Sequence, residues 1–148
     1  VKHLFPNANV PVLQLSLDRG MTPAQHYALA GQLKRLRERG VLVVGSGNMV
    51  HNLRMVDWAR MNDVGHGFDW AIEASDAMHG WILNGNHRAL IDAPASEKTA
   101  FKLAIPTAEH YLPLLYVLGM QDPNERVTLF NDQALAASLS MTSVTLGL

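Results

Sequence analysis

Apolar and polar positions in the first third of the chain follow the order strand, helix, strand. Residues 10–17 form a short apolar run that ends in a turn, which is typical of a strand. Thr22 and Gln25 have the spacing of a capping box and predict a helix over residues 23–39. Residues 41–44 are all apolar, as in a strand buried on both faces. This order predicts a right-handed parallel β-α-β unit, and hence an α/β fold with a mostly parallel sheet flanked by helices.

Further along the chain, the apolar pattern predicts two more helices and two more strands. Apolar residues recur at helical spacing over residues 69–83. A third helix is expected within residues 106–119, because a proline and a threonine open this stretch and a glycine closes it. Residues 127–130 and 139–146 are expected to be strands, either antiparallel or at an edge of the sheet.

Composition narrows the class of protein. The chain has 148 residues, of which 48% are hydrophobic, and this is enough for one compact unit with a sizeable core. Twelve basic and thirteen acidic residues give no net field that would attract nucleic acid or an anionic membrane, and no apolar run is long enough to span a bilayer. The chain has no cysteine, which suits a cytoplasmic protein and leaves His, Asp and Glu as possible metal ligands.

The first candidate for chemistry is His51, in the loop that follows the second predicted strand. Ligands of open α/β sheets bind at the carboxyl ends of strands, and Gly45 and Gly47 would let the backbone approach a ligand closely. A histidine there can bind a metal or move a proton near neutral pH, although it can also simply hydrogen-bond its own loop. A dinucleotide-binding fingerprint is disfavoured because Val50 stands where the third glycine is due.

The second candidate is His110, which is predicted to lie in the first turn of the third helix. The helix dipole would disfavour its protonation and keep a lone pair free for a metal ion, although an ordinary structural role is equally open. Glu109 is better explained as an acid that favours the dipole than as a ligand. The other histidines have no metal-binding spacing, and the chain contains neither a zinc-protease motif nor a serine-hydrolase elbow.

Four segments of the chain together resemble a known enzyme family. They are residues 12–18 (VLQLSLD), 45–54 (GSGNMVHNLR), 107–116 (TAEHYLPLLY) and 138–144 (SLSMTSV). In this order they resemble the DOPA dioxygenase branch of the class III extradiol ring-cleaving dioxygenases. The resemblance covers most of the chain and is weakest over residues 55–102.

The resemblance implies a non-haem metal enzyme that opens the ring of a catechol such as DOPA with molecular oxygen. His51 and His110 match two metal-binding histidines of the family, with Fe(II) or Zn(II) as the ion. His51 also resembles the acid-base histidine of more distant extradiol enzymes, so both roles are open for it. Asn48 and Asn52 are expected to orient His51, and Tyr111 is expected to face the substrate.

The chain departs from the family in one respect. Family members carry an N-terminal half that supplies further metal-binding histidines, and nothing here matches it. Residues 1–148 are therefore expected to be the C-terminal portion of a larger single α/β domain, with weak metal affinity and no turnover alone, and possibly part of a homo-oligomer. The alternatives are a zinc-dependent hydrolase that uses metal-bound water and a non-catalytic α/β binding module.

Overall fold

The structure, a computed structural model, describes residues 2–147 and combines helices with short strands. The helices are α1 (Pro23–Leu33), α2 (Arg35–Glu38), α3 (Asp69–Leu83), α4 (His87–Asp92), α5 (Thr99–Ala104) and α6 (Leu112–Gly119). Short 3-10 turns lie at Leu53–Met55, Trp58–Arg60 and Ala93–Ala95. The strands are β1 (Val127–Phe130), β2 (Ala134–Leu135), β3 (Leu139–Ser140) and β4 (Ser143–Leu146). Within residues 2–147, no helix is both long enough and apolar enough to cross a bilayer.

The start of α1 confirms the capping box. The Thr22 hydroxyl accepts a hydrogen bond from the Gln25 backbone N–H, and the Gln25 side chain accepts one from the Thr22 N–H. The predicted single helix is interrupted at Lys34, so that α1 ends at Leu33 and α2 follows as a separate turn. Gly40 ends this segment at φ +75°, a conformation that glycine adopts without strain.

α1 packs closely on α6. A Cβ atom at Gly119 would lie 2.7 Å from Ala30 Cβ, so the two helices meet at small residues. Ala30, Tyr116 and Met120 form a buried cluster at this contact, and Leu17 and Val43 pack against the same cluster. The ends of both predicted parallel strands, at Leu17 and Val43, therefore pack against the contact between α1 and α6.

The mixed helix and strand content is confirmed, but the two predicted parallel strands are not formed within residues 2–147. Residues 10–17 and 41–44 pair with no strand there, and the paired strands of the described chain are antiparallel. Many apolar side chains of these two segments are exposed, including Leu13 at 96% and Leu42 at 67%. The apolar pattern predicts burial on both faces, but within residues 2–147 only Leu17 and Val43 of these segments pack against a buried cluster.

The third predicted helix begins later than expected. α6 starts at Leu112, and residues 106–111 form turns. Pro113 explains the difference, because a proline in a helix interior cannot donate a backbone hydrogen bond and its ring clashes with the carbonyl of residue i−4, here Glu109. Pro113 is tolerated only in the first turn, where a donor is not needed.

The predicted strand over residues 139–146 is divided into two. β3 pairs with β2, whereas β4 pairs with β1 in the register Val127↔Leu146 to Phe130↔Ser143. The chain therefore changes partner strands at Met141 and Thr142. The core lies between α3, α5 and α6, and it includes Met49 and Val50 of the loop that carries His51.

An ion pair fastens α2 to the segment after α6, and it should contribute to stability in a pH-dependent way. Glu125 accepts hydrogen bonds from the Arg37 guanidinium, which lowers the pKa of this carboxyl group, and the side chains are 11% and 28% exposed. We expect Glu125→Gln to lower the free energy of unfolding by about 1.5–3 kcal/mol at neutral pH. Because the folded-state pKa is depressed, this contribution is present above the ordinary pKa of 4.5 and is lost as the pH falls below it.

Urea unfolding of the parent protein and of the Glu125→Gln variant, at neutral and at acidic pH, measures this difference in the free energy of unfolding. Glu97 provides the control, because it pairs with Lys102 while its side chain is 89% exposed. Glu97→Gln should change stability by less than about 1 kcal/mol. Equal losses at both positions, or a Glu125→Gln effect that does not shrink in acid, would contradict the expectation.

Candidate active site

Gly45 and Gly47 allow the His51 loop to lie in direct contact with the start of α6 and the turn before it. A Cβ atom at Gly45 would lie 2.7 Å from the Pro113 carbonyl oxygen, and one at Gly47 would lie 2.0 Å from the His110 carbonyl oxygen. The backbone N–H of Asn48 donates to that same His110 oxygen at 2.8 Å. The sequence predicted that these glycines let the backbone approach a ligand, whereas the group that they approach in this structure is the His110 turn.

Backbone hydrogen bonds hold His51 from two sides. Its N–H donates to the Ala104 carbonyl oxygen at 2.9 Å, and it forms an antiparallel bridge with Leu139. The Ser140 N–H donates to the Val50 carbonyl oxygen at 3.0 Å. His51 is thus fixed between the end of α5 and β3, and it is only 4% exposed.

The His51 ring faces a carbonyl oxygen with each of its nitrogens. Nε2 lies 2.9 Å from the Thr107 oxygen, and Nδ1 lies 3.2 Å from the Asn48 oxygen. Burial is the main cause that lowers the pKa of His51, partly opposed by the hydrogen bond to Thr107. A neutral imidazole has one N–H donor, so it can donate to only one of the two oxygens. The lone pair of the other nitrogen then faces the lone pairs of a carbonyl oxygen, which is unfavourable. A cation bound to that nitrogen would relieve the repulsion.

His110 lies next to His51. The two ring centroids are 5.0 Å apart, with the ring planes inclined by 43°. Two imidazoles that bind one metal ion at about 2.0–2.1 Å in roughly tetrahedral geometry have a similar centroid separation. The His110 side chain is 48% exposed, so its ring is also open to a ligand.

The first-turn argument made for His110 and Glu109 from the sequence is wrong, because α6 begins two residues after His110. Glu109 instead accepts a hydrogen bond from the Thr107 hydroxyl at 2.8 Å, which lowers the pKa of its carboxyl group. Its Oε1 atom lies 3.6 Å from His110 Nδ1. The Glu109 carboxylate therefore adds negative charge beside the two imidazoles.

The remaining predicted site residues are placed differently from one another. Asn48 contacts His51 through its backbone oxygen, while its side chain donates to the Ser140 oxygen at 2.7 Å. Asn52 holds the loop by donating to the Leu103 oxygen at 2.9 Å. The expectation that Tyr111 faces the substrate is not supported.

Tyr111 is directed into the core. Its side chain is fully buried, its hydroxyl donates to the Leu90 oxygen at 2.8 Å, and burial raises its pKa. The sequence places Tyr111 next to His110 but cannot show that the two rings diverge. Thr107 was missed as a contact of His51 because it acts through its carbonyl oxygen, and a backbone group leaves no side-chain signal.

The two imidazoles and the charge beside them fit a divalent metal ion, but they are an incomplete ligand set. No group of three or more His, Asp or Glu side chains suitable for a metal ion occurs among residues 2–147. A groove of about 690 Å³ opens beside His110. Extended residues 41–45 and β4 flank it, and Pro113, Leu114 and Val117 of α6 also line it.

Comparisons with known proteins identify relatives of this chain. The chain is 36% identical to a protein of Escherichia coli K12 named 4,5-DOPA dioxygenase extradiol, over 97% of this chain and 52% of that protein. It is 32% identical to the protein of the same name from Portulaca grandiflora, over 78% of this chain and 41% of the relative. No protein-family model matches the chain.

A solved structure shares the fold. The crystal structure of an uncharacterised Escherichia coli K12 protein superimposes with a TM-score of 0.85 at 36% identity, covering 97% of this chain and 58% of the other. The chain thus spans about half the length of the curated relatives that it matches.

Proposed function

We propose that this chain, a homologue of the proteins named 4,5-DOPA dioxygenase extradiol, is the C-terminal portion of a non-haem, metal-dependent dioxygenase domain. The proposed reaction opens the ring of a catechol such as DOPA with molecular oxygen, beside the two hydroxyl groups. The observation that carries the proposal is the pairing of the His51 and His110 rings at 5.0 Å, in a chain with these relatives.

In this proposal His51 and His110 are both metal ligands. Bound Fe(II) would supply redox chemistry that brings catechol and oxygen together, which redox-inactive Zn(II) cannot supply. The contact of His51 Nδ1 with the Asn48 oxygen, at 3.2 Å, resembles the outer-shell hydrogen bonds that fix the orientation of metal-binding histidines, and it would leave Nε2 for the ion. Burial lowers the pKa of His51 and so favours the neutral ring that metal binding needs.

The chain itself supplies the surroundings of the ion. Glu109 provides a negative charge that favours a cation beside His110. The apolar side chains of Val44, Leu114 and Val117 line the groove next to His110, and they suit the ring of an aromatic diol. We therefore assign the groove beside His110 to the substrate.

Two histidines do not complete a catalytic metal site, and we propose that the other half of the same catalytic domain supplies further ligands. Three protein ligands are typical of a catalytic zinc site, and non-haem iron sites use a comparable triad. The relatives are about twice as long as the matched segment, which leaves room for such a half. It would have to dock close to His51 and His110.

The exposed apolar segments are the surface on which this half would dock. None of the backbone N–H groups of residues 12–17 or 42–47 donates a hydrogen bond to another group among residues 2–147. Unpaired strand edges with apolar side chains favour the addition of further strands. Leu17 and Val43 already pack against the cluster between α1 and α6, so one face of these segments is covered by helices.

Docking would convert both segments into strands. Residues 10–17 and 41–44 would become the parallel strands that their apolar patterns predict, with the docked half covering their exposed faces. The groove between residues 41–45 and β4 would then be closed on its open side, with His110 at its margin.

The function is tested by anaerobic reconstitution of the complete protein that carries this chain with Fe(II). Oxygen uptake and absorbance changes are then followed with DOPA and with simpler catechols. We expect stoichiometric oxygen consumption and a ring-opened product. Bound metal without oxygen uptake for any catechol would overturn the proposal.

A substitution on the exposed segments tests the docking surface. Leu42 is 67% exposed in this chain, so a charge there is tolerated if the surface stays open to solvent. If the other half docks on it, Leu42→Asp in the complete protein should cost about 2–5 kcal/mol, since a buried leucine is lost and a carboxylate is desolvated. Urea unfolding of the complete protein measures this loss.

Leu83, at the end of α3, is the matched control because it is 59% exposed. Leu83→Asp should stay within about 0.5 kcal/mol of the parent protein. A Leu42→Asp protein as stable as the Leu83→Asp protein would show that the surface is not covered.

A further inference from the structure

Four polar side chains form a connected group behind the His51 loop. The Thr142 hydroxyl donates to Asp132 Oδ1 at 2.7 Å and lies 2.7 Å from Ser140 Oγ. His79 Nε2, from α3, lies 3.2 Å from both Thr142 Oγ1 and Asp132 Oδ1. We call Ser140, Thr142, Asp132 and His79 the Thr142 cluster. None of them belongs to the proposed metal site.

Thr142 is the centre of this cluster. A hydroxyl has one donor and two acceptor sites. The Thr142 hydroxyl uses its donor on Asp132 and can accept from both Ser140 Oγ and His79 Nε2. The Thr142 backbone N–H also donates to Ser140 Oγ at 3.3 Å. All hydrogen-bonding positions of this one hydroxyl are occupied when His79 carries its proton on Nε2.

The position of the cluster explains why side chains are needed there. β3 and β4 pair with different strands, so the ladder is interrupted at Met141 and Thr142. Met141 N–H donates to the Gln133 oxygen at 2.8 Å, and the Thr142 cluster holds the next residue. These contacts fix the path of the chain where neither sheet does so.

The backbone of Ser140 connects the cluster to His51. Its oxygen accepts from Asn48 Nδ2 at 2.7 Å, and its N–H donates to the Val50 oxygen at 3.0 Å. Asn48 in turn presents its backbone oxygen to His51 Nδ1. A continuous series of contacts thus runs from His79 on α3, through Thr142 and Ser140, to the His51 ring.

We propose that Thr142 and Asp132 are positioning residues, which act with His79 to hold Ser140 against the His51 loop and so fix the orientation of the His51 ring. The expected effect on catalysis rests on the proposed function, whereas the expected effect on the orientation of the His51 ring does not. The proposal also gives a role to residues 138–144, a segment that contributes no group to the metal site itself.

The first test reads the His51 ring directly. Ring ¹⁵N–¹H spectra of the metal-free complete protein, with His51→Gln used for assignment, report the tautomer and hydrogen bonding of His51. Thr142→Val keeps the shape of the side chain and removes the hydroxyl, and it should displace or broaden the His51 signals. Thr142→Ser restores the hydroxyl and should return them to their original positions.

Thr128 on β1 provides the matched control. It lies opposite Thr145 in the same sheet as β4, and it is outside both the groove and the cluster. Thr128→Val should leave the His51 signals unchanged. If Thr142→Val does not fold, as judged by circular dichroism, Asp132→Asn carries the test, because Asp132 is 44% exposed and the substitution preserves its shape.

The second test uses the Fe(II)-loaded protein. Thr142→Val should lower kcat for the catechol by about 10-fold, the lower end of the range for direct outer-shell partners because Thr142 acts on His51 only through Ser140 and Asn48, with recovery in Thr142→Ser. Because Thr142 also lines the groove, Asp132→Asn, which lies outside it, should lower kcat in the same way with a smaller change in KM. Unmoved His51 signals in both Thr142→Val and Asp132→Asn, or no rescue by serine, would overturn the positioning role. Moved signals in a protein that never consumes oxygen would refute the proposed function alone.

Discussion

Loss of metal binding together with ring cleavage is the expected result of replacing His110 by alanine in the complete protein. The His110 ring is half-exposed, lies 5.0 Å from the His51 ring and borders the groove assigned to the substrate. Removing a ligand should cost more than the roughly 10–100-fold seen for outer-shell partners, so we expect metal affinity and kcat/KM each to fall by more than 10²-fold. Calorimetry with Fe(II) or Zn(II) and oxygen uptake measure the two quantities.

His51→Ala separates the two roles considered for His51. A ligand role predicts that metal affinity and turnover fall together, as for His110→Ala. An acid-base role predicts that the metal stays bound while kcat falls by about 10²–10⁴-fold. The buried ring and its low pKa favour the ligand role, because metal binding needs a neutral imidazole.

His66→Ala is the control for both substitutions. His66 lies in a loop, and its ring contacts Arg60, at 3.1 Å between the two side-chain nitrogens. This variant should keep full metal affinity and turnover. Unchanged turnover in His110→Ala would contradict the metal site, whatever the result for His51.

The parts of the fold that depend on local chemistry were predictable from the sequence. The capping box at Thr22 marks the start of α1, and the apolar spacing over Asp69–Leu83 matches α3 at both ends. One error came from a local signal that was given too little weight, and another from pairing between distant segments. Pro113 moves the start of α6 past His110, and the change of partner at Met141 divides a single predicted strand.

The candidate site was predictable in its two histidines but not in their surroundings. The sequence predicts a binding position at His51 from a strand followed by a glycine-rich loop, and the structure brings the His51 and His110 rings together although residues 41–44 pair with no strand among residues 2–147. The contact of His51 with the Thr107 oxygen is a backbone interaction between residues far apart in sequence. The Thr142 cluster joins α3 to the end of the chain, and no spacing in the sequence signals that contact.

The second large effect is expected at Gly47, where the His51 loop touches the His110 turn. A Cβ atom there would lie 2.0 Å from the His110 carbonyl oxygen, and the two atoms nearest to it both belong to the His110 backbone. Gly47→Ala must therefore push the two segments apart and strain the hydrogen bond from the Asn48 N–H to that oxygen. Overpacking of this kind costs about 1–3 kcal/mol.

The same displacement alters the relation between the two imidazoles, so Gly47→Ala should impair function beyond its effect on stability. We expect metal affinity and kcat/KM to fall by at least about 10-fold at temperatures where the variant is fully folded, since a small misplacement of ligands is costly. Gly80→Ala is the matched control, because nothing lies within 4 Å of the new Cβ and a helical alanine stabilises by about 1 kcal/mol. Urea unfolding, metal titration and oxygen uptake of both variants separate the two effects. If Gly47→Ala loses stability but binds metal as tightly as Gly80→Ala, then contact between the loop and the His110 turn supports the fold without setting the geometry of the histidine pair.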